Sequence, residues 1–130
     1  MEIVKMDAPV EMNGEQQIYC QKDMLAILGT AETLGAAPYD DEKYEIWGVA
    51  QCMVFPAFRR GDMLFEMHKD DYWKDENVLP RLKTWDMPLV MHDHYEELPH
   101  SVKYPKETIL GTYRPYHRTS ISFMLALAYH

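Results

Sequence analysis

The sequence is short of cysteine, of basic residues and of long apolar runs, and each shortage excludes a class of protein. Its 130 residues include two cysteines, Cys20 and Cys52, which are too few for a disulfide framework and lack metal-ligand spacing. A reduced, cytoplasmic setting is therefore expected. No apolar run approaches the length of about 18 residues that a membrane span requires, and the N-terminus lacks the apolar segment of a signal peptide.

Basic residues are outnumbered, with 13 Lys and Arg against 21 Asp and Glu and a net charge of −8. An acidic chain without a basic stripe argues against direct binding to nucleic acid or to an anionic membrane. Hydrophobic residues make up 47% of the chain and charged residues 26%, which excludes disordered and low-complexity classes. The length suits one domain with an adequate core.

Three short apolar runs are typical of strands that are buried on both faces of a parallel sheet. These runs span residues 24–28, 63–67 and 88–91. The segments between them are long enough for the crossovers that parallel strands require. We predict that the three runs are neighbouring, mostly parallel strands, with Ile27, Leu64 and Val90 near fully buried.

Acidic residues precede two segments with helical character, and acids are favoured where a helix begins. The acids at 40–42 predict a helix over residues 44–49. Asp75 predicts a second helix over residues 78–85, in which Pro80 fits only in the first turn.

A third helix is predicted over residues 121–129, capped by Thr119 and Ser120. The alternation of strands and helices indicates a small, three-layer, Rossmann-like α/β domain with a mostly parallel open sheet over residues 24–130. Residues 1–23 are a separate N-terminal segment, either an edge hairpin turning at Asn13-Gly14 or an arm.

The loop after the first predicted strand holds Gly29, Thr30 and Thr33. Ligands of open α/β sheets bind at the carboxyl ends of strands, where glycine lets the backbone approach a phosphate and hydroxyls can donate to it. Glu32 places a negative charge where an anion would lie. A ligand-binding loop and an ordinary strand-to-helix turn are both compatible with this pattern.

Arg118, Thr119 and Ser120 open the final helix, where a cation beside unpaired helix amides favours an anion site. The alternative is an ordinary helix cap with a solvated arginine. Convergence of this segment with the Gly29 loop at one sheet edge would favour ligand binding.

His68 and His92 follow the second and third predicted strands and are candidate catalytic acid–base groups. His92, Asp93 and His94 resemble a fragment of a metal site, but spacing fixes no third ligand. We therefore interpret them as polar loop residues or a general base, and neither a metal nor another cofactor is expected.

Several segments together carry a family resemblance. They are residues 27–34, 37–41 and 45–48, Arg60 to His68, 101–105, and Thr119 to Ala128. Their combined pattern, over about residues 24–129, resembles an uncharacterised family of phage-encoded Rossmann-like proteins. That family has proline-serine where this chain has Glu32-Thr33, and it continues beyond the final helix, so a shortened domain is expected. The Gly29 loop and the Thr-Ser helix are also similar, at longer range, to bacterial sialyltransferases with a single modified Rossmann domain.

The resemblance implies a phage-type protein of the host-cell cytoplasm that binds a nucleotide or nucleotide-derived small molecule. A glycosyltransferase-like activity is one form of that function, and whether the chain is an enzyme stays open. The acidic balance favours an alternative of another class, a small interaction protein that binds or inhibits a host factor or defence enzyme. An inactive fragment is a third alternative.

The predicted final helix is apolar around nearly its whole circumference, with Ser122 as the polar exception. A surface helix needs only one apolar stripe. We therefore expect residues 121–129 to pack against another chain, most simply the same helix of a second copy. A monomer would instead mean that the N-terminal arm covers this helix or that the segment is a strand.

Overall fold

The computed structural model describes residues 1–5, 20–68, 72–105, 109 and 120–128. Within this part of the chain, six strands form one sheet whose spatial order follows the sequence. The strands are Glu2–Lys5 (β1), Met24–Leu28 (β2), Tyr44–Val49 (β3), Met63–Glu66 (β4), Leu89–Met91 (β5) and Ser101–Lys103 (β6). β1 pairs antiparallel with β2, and each later neighbour pairs in parallel. A mostly parallel α/β sheet is thus confirmed.

The three predicted buried strands are present as β2, β4 and β5. Ile27, Leu64 and Val90 are each 0% exposed, which confirms their predicted burial. The predicted adjacency is wrong for the first pair, because β3 lies between β2 and β4.

Residues 44–49 form strand β3, and the helix predicted there is wrong. The four central residues of this segment are buried, as suits a strand with parallel neighbours on both sides. β-branched and aromatic side chains at Ile46 and Trp47 favour such a strand, and Gly48 disfavours a helix. The preceding acids form a turn instead, in which the Asp41 carboxylate accepts the backbone N–H of Lys43 at 3.0 Å.

The N-terminal residues contribute an edge strand. β1 is hydrogen-bonded to β2, with Val4 opposite Leu25. The predicted turn at Asn13-Gly14 lies outside the described residues.

The two predicted helices that flank the sheet are confirmed. α1 comprises Leu79–Thr84, with Pro80 in its first turn, and α2 comprises Ser120–Ala128. The connections after β2 and β3 carry only 3-10 helices, Glu32–Ala36 and Ala50–Val54. Helical content is therefore lower than the sequence predicted. Among the described helices, none has the length and apolar character to cross a membrane.

Side chains that alternate along the strands separate the core into two sides. α2 covers the side that holds Ile27, Trp47 and Phe65. The opposite side of the sheet is covered by the connections between strands, which pack on Ala26, Leu28, Ile46, Leu64 and Met91. Crossovers of one hand between strands in sequential order place every connection on the same side, which leaves the other side to α2.

α2 is covered within its own chain, contrary to the premise of the predicted oligomer. Five of its residues are buried, and they are Phe123, Met124, Ala126, Leu127 and Ala128. Ile121, Ser122 and Leu125 are half-buried. The Tyr104 hydroxyl donates to the Phe123 carbonyl at 2.8 Å and fixes the helix against the end of β6.

Two carboxylates fasten the amino edge of the sheet. Glu45 accepts the backbone N–H of Gln21 at 2.7 Å and the indole N–H of Trp47 at 2.8 Å. Asp62 accepts the backbone N–H of Ile46 at 2.8 Å and pairs with Arg60 at 2.7 Å. Both carboxylates make well-formed bonds to the backbone or to core side chains, so their role is structural.

Gly61 lies where a side chain has no space. A Cβ atom at this position would lie 2.7 Å from Cζ of Phe58 and 3.4 Å from Cη2 of Trp85. We expect Gly61→Ala to lower the free energy of unfolding by about 1–3 kcal/mol, because the Phe58 ring must shift. Urea denaturation measures this change. Gly35→Ala is the control, since its Cβ would meet only Ala57 at 3.7 Å; equal losses in both variants would contradict the prediction.

Both cysteines are buried thiols. Burial and the nearby Glu45 carboxylate raise the pKa of Cys20 to about 12, and burial raises the pKa of Cys52 to about 11, from an ordinary value of 9.0. We expect iodoacetamide at pH 8 to alkylate both thiols slowly in the folded protein and rapidly in denaturant. Fast alkylation of the folded chain would refute this expectation.

The raised thiol pKa values also predict how stability depends on pH. Because the thiols of the unfolded chain ionise at lower pH than those of the folded chain, the free energy of unfolding should fall as the pH rises from 9 toward 11.

Candidate functional site

Three of the predicted site residues lie at the carboxyl edge of the parallel strands. Gly29 follows β2, His68 follows β4 after one residue, and His92 follows β5. β4 and β5 are neighbours, so the two histidines follow adjacent strands. Parallel strands end at a common edge, and this edge is where open α/β sheets bind ligands.

The first turn of α2 lies at the same edge. Cδ1 of Ile121 is 3.9 Å from the position that a Cβ of Gly29 would occupy. The Phe123 ring packs edge-to-face on His92, with ring centroids 5.8 Å apart. The start of α2 therefore lies between the Gly29 loop and the end of β5.

The predicted residues of the final helix are only partly described. Ser120 is the first residue of α2. Arg118 and Thr119 lie outside the described residues. The structure thus places the beginning of this helix beside the Gly29 loop, and the ligand role of Arg118 and Thr119 stays a prediction.

The Gly29 loop is not held by polar caps, as an ordinary strand-to-helix turn would be. Ala31 is the N-cap of the following 3-10 helix, and no side chain caps it. Thr30 and Thr33 are exposed, and their hydroxyls make no hydrogen bond within the described residues. The thiol of Cys52 donates to the Gly29 carbonyl at 3.5 Å and thereby joins the loop to the 3-10 helix Ala50–Val54. The two hydroxyls are thus accessible from solvent, in a loop whose first residue, Gly29, lies beside Ile121 of α2.

Glu66 and His68 contact each other at this edge. Glu66 is 4% exposed, and its Oε1 pairs with Nδ1 of His68 and accepts the His68 backbone N–H at 3.3 Å. Glu66 is the last residue of β4, and the chain that follows it returns the His68 ring to the Glu66 carboxylate. Sequence reasoning selected His68 and missed Glu66, although the Glu-x-His spacing at a strand end was the available signal.

His92 is held by two neighbouring elements. Its Nε2 lies 2.8 Å from the Met67 carbonyl, which can only accept, so Nε2 carries the proton. The ring also packs on Phe123. His92 therefore connects the end of β4 to α2.

The remaining polar residues after β5 make separate contacts. Asp93 forms an exposed ion pair with Lys103 at 3.9 Å, a type of contact that contributes little stability. Nδ1 of His94 lies 2.7 Å from the Ser101 carbonyl oxygen, and this hydrogen bond joins the loop after β5 to the first residue of β6. In the described part of the chain, no three His, Cys, Asp or Glu side chains lie together in a way that could hold a metal ion.

An open depression of about 680 Å³ lies at the opposite, amino edge of the sheet and is lined by residues 37–43. One of its lining carboxylates is already paired, because Arg59 makes two hydrogen bonds to Asp40 and holds the pKa of that carboxyl below its ordinary value. None of the predicted site residues lies there. The carboxyl edge is therefore the better candidate site.

Comparisons with protein-family models, with curated proteins and with solved structures find no match to this chain. The candidate site is therefore defined by the geometry of its own residues.

Proposed function

We propose that the chain binds a nucleotide or nucleotide-derived small molecule at the carboxyl edge of its sheet. One observation carries this proposal: the start of α2 and the Gly29 loop, two segments far apart in sequence, lie side by side at that edge. Unpaired amides at a helix start bind phosphate groups. The exposed hydroxyls of Thr30 and Thr33 are additional donors for phosphate or sugar oxygens.

The position of α2 matters because the described sheet has no reversal of strand order. Rossmann-like sheets bind ligands in the crevice that such a reversal opens. In this chain the space beside α2 replaces that crevice. The three-layer Rossmann-like character, the phage-type origin and the host-cytoplasm location belong to the same proposal, as does a glycosyltransferase-like reaction with His68 or His92 as acid–base group.

Isothermal titration calorimetry against a panel of nucleotides and nucleotide sugars tests the binding. We expect Arg118→Ala to weaken binding by about 1.5–3 kcal/mol, because the variant loses a charge-assisted hydrogen bond to phosphate. Arg59→Ala is the matched control, since Arg59 is an exposed arginine that pairs with Asp40 at the amino edge.

Gly29→Ala should also weaken binding, because its Cβ would occupy the space where the ligand approaches the backbone. Gly35→Ala is its control, and both glycines have room for a Cβ within the protein. The absence of heat with every member of the panel would refute the proposed function.

The alternative function, a small acidic protein that binds a host factor or defence enzyme, is supported by the net charge of −8 and by the exposed acids at 40–42. A strong negative field favours association with basic surfaces. A stoichiometric protein partner in a pull-down from host lysate, without small-molecule binding, would favour this alternative.

Self-association through residues 121–129 stays a prediction. Ile121 and Leu125 are the half-buried apolar residues of α2 and would form the contact. Light scattering at micromolar concentration should give the mass of a dimer, and Leu125→Lys should return the mass of a monomer. A stable wild-type monomer would contradict the prediction.

A further inference from the structure

The two histidines selected at the carboxyl edge belong to opposite sides of the sheet. Side chains alternate along β4, so Glu66 points to the same side as Leu64, which packs with the strand connections. The His68 ring contacts the Glu66 carboxylate of that side. The His92 ring instead packs edge-to-face on Phe123 of α2, with ring centroids 5.8 Å apart. Of the two, His92 is therefore the one that lies on the α2 side.

Gly29 is also on the α2 side of this edge. A Cβ atom at Gly29 would lie 3.9 Å from Cδ1 of Ile121, in the first turn of α2. Ile121 packs against the core cluster that contains Phe123, the ring partner of His92. One helix therefore borders both Gly29, which follows β2, and His92, which follows β5.

The separation of Gly29 and His92 follows from the order of the strands. β3 and β4 lie between β2 and β5, so three strand spacings separate the two strand ends. Neighbouring strands are about 4.8 Å apart, which places the two ends about 14 Å from each other. A ligand that contacts both residues must therefore be extended. A nucleoside diphosphate sugar is long enough, whereas an orthophosphate ion is not.

Hydrogen bonding fixes which nitrogen of His92 can accept from a ligand. Its Nε2 lies 2.8 Å from the Met67 carbonyl oxygen, which only accepts, so Nε2 carries the proton. In the neutral ring Nδ1 then has the lone pair, and Nδ1 makes no hydrogen bond within the described residues. His92 is half-buried, and contacts with Met67 and Phe123 orient its ring. A nitrogen oriented in this way selects a ligand group that donates, such as a hydroxyl or an N–H.

We propose that His92 is a specificity-determining residue, whose Nδ1 accepts a hydrogen bond from a hydroxyl or N–H group of a ligand that binds by its phosphate beside Gly29. The proposal rests on the proposed function for the place of the phosphate. It narrows the ligand class to extended phosphate esters such as nucleoside diphosphate sugars, because the donor group must lie about 14 Å from the phosphate. Orthophosphate and short phosphate esters reach only the Gly29 end.

Calorimetric titration of the full chain with UDP-glucose, ADP-glucose and GDP-mannose, and with UDP, ADP and GDP, tests this selectivity. We expect the sugar to raise affinity by about 2- to 12-fold, which is the effect of one neutral hydrogen bond. His92→Gln keeps an N–H that can donate to the Met67 carbonyl but has no acceptor at the position of Nδ1, so the preference should disappear. The matched control, His94→Gln, should retain it.

The titrations also separate the two proposals. Equal affinities of the wild type for nucleoside diphosphates with and without the sugar would overturn the role of His92 and leave nucleotide binding intact. The absence of heat with all six compounds would overturn both.

A second substitution separates ligand recognition from a structural role. His92→Asn keeps an acceptor near the position of Nδ1 but is too short to reach the Met67 carbonyl. We expect this variant to unfold at a lower temperature and to retain a preference for the sugar, whereas His92→Gln should unfold close to the wild-type temperature and lose the preference. A preference that follows the unfolding midpoint in both variants would make His92 a structural residue and overturn the proposal.

Nitrogen-15 NMR of the ligand-free chain tests the tautomer independently. Long-range proton–nitrogen spectra at pH 8 should show the proton of His92 on Nε2. The proton of His94 should be on Nδ1, because that atom lies 2.7 Å from the Ser101 carbonyl oxygen. His92→Gln and His94→Gln assign the signals. A proton on Nδ1 of His92, or signals averaged between its two nitrogens, would overturn the proposal.

Diethyl pyrocarbonate, which reacts with unprotonated imidazole nitrogen, measures whether Nδ1 of His92 is accessible. Mass spectrometry of the folded, ligand-free chain should show modification of His92 as well as of the exposed His94. Saturation with the nucleoside diphosphate sugar that binds most tightly should slow the reaction at His92 and leave that at His94 unchanged. An unreactive His92 in the ligand-free chain, or one that the bound sugar nucleotide does not protect, would overturn the proposal.

Discussion

A parallel strand must be covered on both faces, and this requirement governs the arrangement of the whole chain. The strands follow one another across the sheet, so their connections cover one side. Among the described helices, α2 covers the other side, where it packs on the residues around Trp47 and Phe65. The bond from the Tyr104 hydroxyl to the Phe123 carbonyl joins that helix to the last strand. Without α2, the central strands would lose the cover of one face.

The same constraint creates the candidate site. α2 begins at the carboxyl edge, so its first turn lies beside the Gly29 loop and contacts His92 through Phe123. The same helix, α2, therefore covers the sheet and contributes its first turn to the candidate site. The amino edge differs in kind, since its carboxylates, Glu45 and Asp62, are used in bonds that hold strands in place.

Sequence reasoning selected residues at the carboxyl edge of the sheet, but it did not single out the Glu66 carboxylate there. Gly29, His68 and His92 were each selected because they follow a buried apolar run, and each does follow a parallel strand. Glu66 was missed because it lies inside such a run, where an acid carries no periodic signal. Its significance depends on the position of the His68 ring, which only folded coordinates supply.

The sequence by itself determined the apolar segments that became β2, β4 and β5 and the long apolar stretch that became α2, because hydrophobic patterning is a local property of the chain. Tertiary structure decided what residues 44–49 would be: burial between two parallel neighbours outweighed the acids that precede them and made a strand. It also decided that α2 is covered within one chain. Both outcomes depend on contacts between distant segments, which local composition does not encode.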